Sequence, residues 1–260
     1  MSPTDAPVGV LLREWRVRRR LTQLDLALGA DVSTRHLSHL ETGKARPTSA
    51  MIERLAEHLD VPLRERNRML LAGGFAPAHP NNALSAPPMR VVSAAIQRVL
   101  AAHQPYPALV VDGHWELIES NSAVSLFTAG AAAELLTPPV NVLRLSLHPS
   151  GMAPRITNLA QWRAHTFDRL DRQLDAGGDA ELIALRRELA GYPGGCSTPG
   201  DVDSIIVPLR YLVDGQELSF FSTTTIFGAP LDITVSELAI ESFYPADDAT
   251  GAFLRERQLT

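Results

Sequence analysis

Between Val32 and Pro47 the chain reads VSTRHLSHLETGKARP, and Arg35, Ser38, His39 and Thr42 recur in it at helical spacing. Three and four residues apart, they share one helix face. All four side chains form hydrogen bonds, and a guanidinium can present two parallel N–H donors. Such a row suits the major groove of duplex DNA, where each base pair offers its own pattern of donors and acceptors. Arginine reaches guanine O6 and N7 together, which makes Arg35 the leading candidate for base readout. Leu37, Leu40 and Glu41 point the opposite way, toward a core. A solvated helix face carries the same residue types, so the reading depends on the surrounding elements.

Those elements form a compact series of five helices. Val8, Leu11, Leu12 and Trp15 mark the apolar stripe of a first helix that ends near Arg18, Arg19 and Arg20. Thr22 can cap a second, with Leu26, Ala27 and Ala30 facing inward. Asp31 and Val32 make the turn, Ser33 caps the third helix and Gly43 ends it. Met51, Ile52, Leu55, Ala56 and Leu59 give a fourth behind Pro47 and Thr48, and Pro62 opens a fifth that stops before Gly73 and Gly74.

Charge follows the same division. The net charge of -5 hides an asymmetry: Met1 to Leu71 holds 12 Lys plus Arg against 9 Asp plus Glu, a balance of +3, and the remainder 12 against 20, a balance of -8. A basic head can bind phosphate although the body is acidic, since screened fields fade within about 8 Å. With 45% hydrophobic residues the chain is globular. Cys196 is the lone cysteine, so an internal disulfide framework and a cysteine zinc site are excluded, and a reducing compartment is expected. No signal peptide or apolar span is apparent, which places the protein in the cytoplasm, away from membranes.

Ala76 to Met89, APAHPNNALSAPPM, lacks periodicity and sets the expected division: residues 1–75 a helical head, 76–90 a linker, 91–260 a second domain. There, Val92 to His103 reads as a helix, and ALVVDGHWELIESN as a hairpin turning at Asp112-Gly113. Asn121 begins a short helix, and Ile156 to Leu174 and Asp179 to Leu189 read as helices. Ile205 to Leu212, Leu218 to Ile226 and Ile233 to Tyr244 read as strands, with turns at Asp214-Gly215 and Gly228 to Pro230. The expected fold class is α+β: an all-α five-helix head, then roughly five antiparallel strands with inserted helices.

The spacing R-x6-Q-x2-L-A-x4-V-S-x3-L-x2-L-E-x-G-K from Arg16 to Lys44 resembles the DNA-binding domain of the XRE family of helix-turn-helix regulators, related to phage repressors. The resemblance implies that Thr34, Arg35 and His39 read bases, with Ser38 beside them on the exposed face. It implies phosphate contacts from Gln23, Thr42, Lys44 and Arg46, and a structural Arg16–Glu41 pair between the first and third helices. Two positions depart from the family pattern. Arg20 stands at a turn commonly occupied by glycine, where a left-handed backbone is mildly strained. Leu24 and Leu28 replace polar residues and either dock elsewhere or are simply exposed.

The element order after residue 90 is that of a PAS-like sensor. The run PPVNVLRLSLHPSGMAPRITNLAQWRAHTFDRL, with YPALVVD before it and ELAIESFYPADDAT after it, resembles the MmyB-like family, XRE regulators with a C-terminal ligand-binding domain. The resemblance implies a transcription regulator, and a studied relative carries a long-chain fatty acid. A cavity between sheet and helices would be apolar with a few polar anchors. Its candidate walls are Ile118, Leu143, Leu147, Trp162, Phe167, Phe220 and Phe227, and its candidate anchors Asn121, Arg144, His148 and Arg163. Close-packed core is the competing role for each apolar member, and a turn hydrogen bond for His148.

The expected whole is a homodimer whose third helices enter successive major grooves, roughly 34 Å apart, on a near-palindromic operator. A small apolar ligand, such as a fatty acid, would modulate it. The alternative is a C-terminal module that binds a partner protein. The sequence holds no Gly-x-Ser-x-Gly elbow, phosphate loop or dinucleotide fingerprint, and GGCSTPG around Cys196 reads as a loop, so no enzyme is expected. No cofactor or metal is expected either: the spacing of His36 and His39 suits DNA contact better than a metal pair, and haem ligation by one histidine is a minor alternative.

Overall fold

A computed structural model describes residues 6–177, 179–195 and 206–258. The Cys196 loop and the expected strand start at Ile205 lie outside the described residues. The chain divides into two compact units, the first made of residues up to Asn82 with the short segments Asp175–Gly177 and Pro230–Ser236, the second of the remainder.

The head comprises α1 (Val8–Arg18), α2 (Gln23–Gly29), α3 (Thr34–Glu41), α4 (Ser49–His58) and α5 (Leu63–Ala72). Three of its helices begin on a hydroxyl cap, which satisfies backbone N–H groups that have no partner inside the helix. The Thr22 side chain accepts from Asp25 N while the Asp25 carboxylate accepts from Thr22 N. Ser33 accepts from His36 N, and Thr48 from Met51 N. Leu12, Leu37, Ile52, Leu55 and Leu59 are fully buried in one core. Each such side chain contributes roughly 1.5–3 kcal/mol by leaving water. Gly9 lets α1 lie directly on α3, since an added Cβ would sit 2.1 Å from the Leu40 carbonyl oxygen. Arg20 does adopt the left-handed backbone, at φ 56°. The expected linker is partly anchored, because Asn67 on α5 accepts from Ala78 N and His79 N and donates to His79 O.

After a single turn at Pro87–Met89 come α6 (Arg90–Ala102), β1 (Ala108–Val111), β2 (Leu117–Ser120), α7 (Ser125–Thr128), α8 (Val142–Leu147), α9 (Leu159–Gly177) and α10 (Ala180–Ala190). There follow β3 (Leu209–Val213), β4 (Gln216–Ile226), α11 (Ile233–Glu237), β5 (Ala239–Pro245) and α12 (Asp248–Gln258). The five strands form one antiparallel sheet in the order β2-β1-β5-β4-β3, a PAS-like arrangement. Alternation along β1 gives the sheet two buried faces. Ala108 and Val110 meet Ile96 and Leu100 of α6. Leu109 and Val111 face a larger core shared with α7, α8, α9 and α10. No helix among the described residues is long and apolar enough to cross a membrane.

Two local expectations need correction, and two helices were not foreseen. Ile233 to Tyr244 is not one strand: Asp232 accepts from Thr234 N and starts α11, so β5 begins only at Ala239. The β-branched run masked that cap. Ile156 pairs with Tyr211 instead of opening α9, and Asn158 is tied to Pro208 O and Arg210 N. α8, capped by Asn141, and α12, preceded by an Asp247 that accepts from Thr250 N, are short or polar helices that hydrophobic period did not reveal.

Candidate DNA-reading face and ligand cavity

In the head, Ala27 O accepts from Val32 N across the turn between α2 and α3, and Asp31 takes φ 51° there. Leu37, Leu40 and Glu41 anchor the inner side of α3. On its outer side Arg35 and Thr42 are exposed, and Thr34, Ser38 and His39 half-exposed. No side-chain partner engages Arg35, His39, Lys44 or Arg46 among the described residues, so their donors face solvent. Gly43 turns the chain off α3 at φ 72° and brings Lys44 and Arg46 past its end. Thr42 differs: its hydroxyl donates to Ser38 O at 2.7 Å, so a phosphate would have to take that proton over.

Beneath this face lies a network that sequence showed only in part. Arg16 Nε and Nη2 donate to the two Glu41 oxygens at 2.7 and 2.9 Å, and Gln23 Nε2 donates to Glu41 Oε2 at 2.8 Å. Burial pushes the Glu41 carboxyl up, but the hydrogen bonds from Arg16 and Gln23 outweigh it and hold the group below the ordinary carboxylate range. Gln23 is thereby fixed in orientation, with its second amide N–H available for phosphate.

In the second unit a cavity of about 70 Å³ opens between the inner sheet face and the helices. Leu109, Leu117, Phe127, Met152 and Phe243 form apolar wall, and α9 contributes Trp162, His165, Thr166 and Arg169. The volume lies well below the roughly 300–1,000 Å³ of drug-sized pockets. A larger occupant must displace wall side chains. At its polar edge Arg169 Nη2 and Nη1 meet Glu241 at 2.6 and 3.1 Å. The Arg169 guanidinium also lies over the Trp115 ring at 4.8 Å. Trp162 Nε1 donates to the Ser146 hydroxyl at 2.9 Å. Burial, reinforced by Arg169 and Arg172, pushes the His165 imidazole below its ordinary pKa.

Of the expected cavity residues, Leu143 and Trp162 line this space. The others lie elsewhere. Ile118 is 42% exposed, on the outward side of β2. Leu147 and Phe220 are fully packed core, Phe220 edge-on to Phe127. Phe227 packs on the α6 side of the sheet, and Phe167 lies between Arg163 and Arg186.

The four expected anchors are all engaged. Asn121 accepts from Ala108 N and donates to Leu100 O and Tyr106 O. Arg163 donates to Ala190 O and Tyr192 O, closing the C-terminal end of α10. His148 Nδ1 accepts from Ser150 N within its turn. Arg144 makes a two-pronged pair with Glu188, at 2.7 and 2.8 Å. That hydrogen bonding, with a further one from Tyr192, brings Glu188 down to about 2, and burial beside the carboxylate lifts Tyr192 to about 12. The residues missed were Arg169, Glu241, His165 and Thr166. A wheel drawn from Trp162 would have placed 165, 166 and 169 on its face, whereas Glu241 needed the strand register.

These features define a DNA-binding regulator: a helix-turn-helix head joined to a PAS-like ligand-binding domain. Residues 92–256 match the family described as MmyB-like transcription regulator ligand binding domain, and residues 12–66 match the helix-turn-helix family. The first match spans more than half the chain, which belongs to the MmyB-like transcription regulators. These are families of regulators and ligand-binding domains, not of enzymes. No curated protein matched the sequence. A solved structure described as an RNA-binding Light-Oxygen-Voltage receptor is similar at 17% identity over 100% of this chain, with a TM-score of 0.26. The chain spans 62% of that structure's length, a likeness too distant to bear on the fold.

Proposed function

We propose that the protein is a cytoplasmic, sequence-specific transcription regulator that binds a near-palindromic operator as a homodimer and responds to a small apolar molecule in its PAS-like cavity. The head, residues 1–75, reads bases through Thr34, Arg35, Ser38 and His39, and sets register on phosphates through Gln23, Lys44, Arg46 and, after its hydroxyl rotates, Thr42. The sensor spans residues 91–260. The long-chain fatty acid suggested by family resemblance is one member of the ligand class, and a long chain requires the 70 Å³ space to widen.

The observation that carries this reading is the outer face of α3, where Arg35 and His39 have no side-chain partner among the described residues, on a helix whose inner residues Leu37, Leu40 and Glu41 are buried. Ligand and DNA affect each other only if the ligand binds one conformational state better than another. In gel-shift titration on an operator selected from random DNA, Arg35→Ala weakens specific binding by about 1–3 kcal/mol per half-site and relaxes sequence choice. A specific-to-nonspecific ratio that does not move refutes the assignment. Mass spectrometry of gently purified protein addresses the sensor, where a retained small molecule supports the reading.

A further inference from the structure

The sheet ends on two unlike edges. Beside β2, Leu117 N donates to Val140 O and Glu116 pairs with Asn141, so that edge is covered, and Glu119 adds a charge to the strand. On the other side β3 pairs with Gln216 to Phe220 of β4 and stops at Leu209, its own outer flank covered by Ile156 to Asn158. Phe221 to Ile226 of β4 continue past it. Among the described residues, the only backbone partner of that stretch is β5. Thr223, Thr224, Thr225 and Ile226 are exposed. Sheet edges are ordinarily protected from strand addition by charges, prolines or bulges. Leu218 to Ala229 holds no charged residue and no proline, and β4 pairs with β5 in unbroken register.

The register also fixes which backbone groups face outward. Phe243 N donates to Pro107 O, so Phe243, Glu241 and Ala239 of β5 turn their backbone groups toward β1. Ser242, Ile240 and Tyr244 turn theirs toward β4, where they stand opposite Thr223, Thr225 and Phe221. The N–H and C=O groups of Ser222, Thr224 and Ile226 therefore point out from the free edge. These three residues are spaced symmetrically about Thr224. An antiparallel copy related by a twofold axis through Thr224 sets Thr224 opposite itself and Ser222 opposite Ile226. Each opposed pair can then exchange two N–H to O bonds. On the other face Thr223 meets Thr225 of the partner subunit, and cross-strand threonine pairs are favourable. No charge opposes the approach, and the Thr224 hydroxyl is braced at the axis by Arg169 and Glu241. An edge whose donors and acceptors complement themselves in this way fits a second copy of the same chain, since twofold interfaces are self-complementary.

We propose that the free edge of β4 is a dimerisation surface, where Ser222 to Ile226 of two subunits pair antiparallel about Thr224 and join the two sheets into one. This inference rests on the homodimer reading and names the surface that makes it.

The test uses the full-length protein without DNA. Sedimentation over a range of concentrations gives the dimer dissociation constant, and amide hydrogen exchange is followed at concentrations above and below it. In the dimer the amides of Ser222, Thr224 and Ile226 are protected, and on dilution they exchange at least about ten-fold faster, while those of Phe221, Thr223 and Thr225, bonded to β5, do not change. Ser222→Pro removes an outward N–H, which a lone subunit does not use, and raises the dissociation constant at least about ten-fold. Thr223→Lys with Thr225→Lys places like charges opposite each other across the axis and raises it about ten-fold, whereas Thr223→Lys with Thr225→Glu places opposite charges there and leaves it within about three-fold of the unaltered protein. A dimer that ignores these substitutions and leaves the Ser222, Thr224 and Ile226 amides unprotected overturns the edge pairing, frees the edge for some other occupant, and leaves the homodimer reading standing. A protein that stays monomeric at every concentration brings down the homodimer reading and this inference with it. The exchange measurement on the unaltered protein decides the question even if a variant does not fold.

Discussion

Replacing Arg16 by methionine tests whether the network under α3 holds the head together. Glu41 is buried to 2% side-chain exposure and Arg16 to 12%, and the pair is joined by two short hydrogen bonds. At a charge separation of about 4 Å and an effective dielectric of about 20, their attraction is about 4 kcal/mol, and deleting one partner of a buried pair costs about 3–5 kcal/mol. Gln23 remains as a donor to Glu41 in the variant, which places the loss at the lower end, about 3 kcal/mol. For a unit of this size that corresponds to a fall of about 12–24 °C in melting temperature. Scanning calorimetry of the full chain reads it, the head transition being assigned by its loss of DNA binding.

The pH dependence separates this mechanism from lost packing. Burial pushes the Glu41 carboxyl up, yet the hydrogen bonds hold it below its ordinary value, so the pair stabilises the fold above the unfolded pKa of about 4.3 and loses that contribution as pH falls through the folded pKa. In the variant, burial without the guanidinium drives the carboxyl upward, and protonation relieves the unpaired charge. The gap between the two proteins narrows between about pH 7 and about pH 4. Adding Glu41→Leu to Arg16→Met recovers much of the loss. A deficit below about 1 kcal/mol, or one that stays constant with pH, refutes the reasoning.

Two other substitutions probe the second unit. His114 donates to Asp179, the N-cap of α10, at 2.7 Å; burial lowers its pKa but Asp179 and Glu181 outweigh that and raise it. The raised folded pKa means the contribution is complete below the unfolded value of about 6.5 and disappears as pH rises through the folded one, so His114→Gln lowers the melting temperature at about pH 5.5 and has little effect at about pH 8.5. Asn121→Ala removes three hydrogen bonds to buried or partly buried backbone groups and costs about 3 kcal/mol in urea titration.

The head was legible because its determinants are local. Thr22, Ser33 and Thr48 sit directly before the helices they cap, and the apolar spacing of Leu37 and Leu40 fixes which side of α3 is outside. Even there, the Gln23 to Glu41 bond was hidden, since it joins residues 18 apart on different helices. The cavity was largely illegible for the same reason enlarged. Arg144 and Arg163 resemble ligand anchors along the chain because a cation beside apolar residues looks uncommitted until its partner is found. Their partners lie 44 residues away at Glu188, and 27 and 29 away at Ala190 and Tyr192. Conversely, Glu241 sits between Ile240 and Ser242 with nothing nearby in sequence to balance it, and its cation is 72 residues upstream.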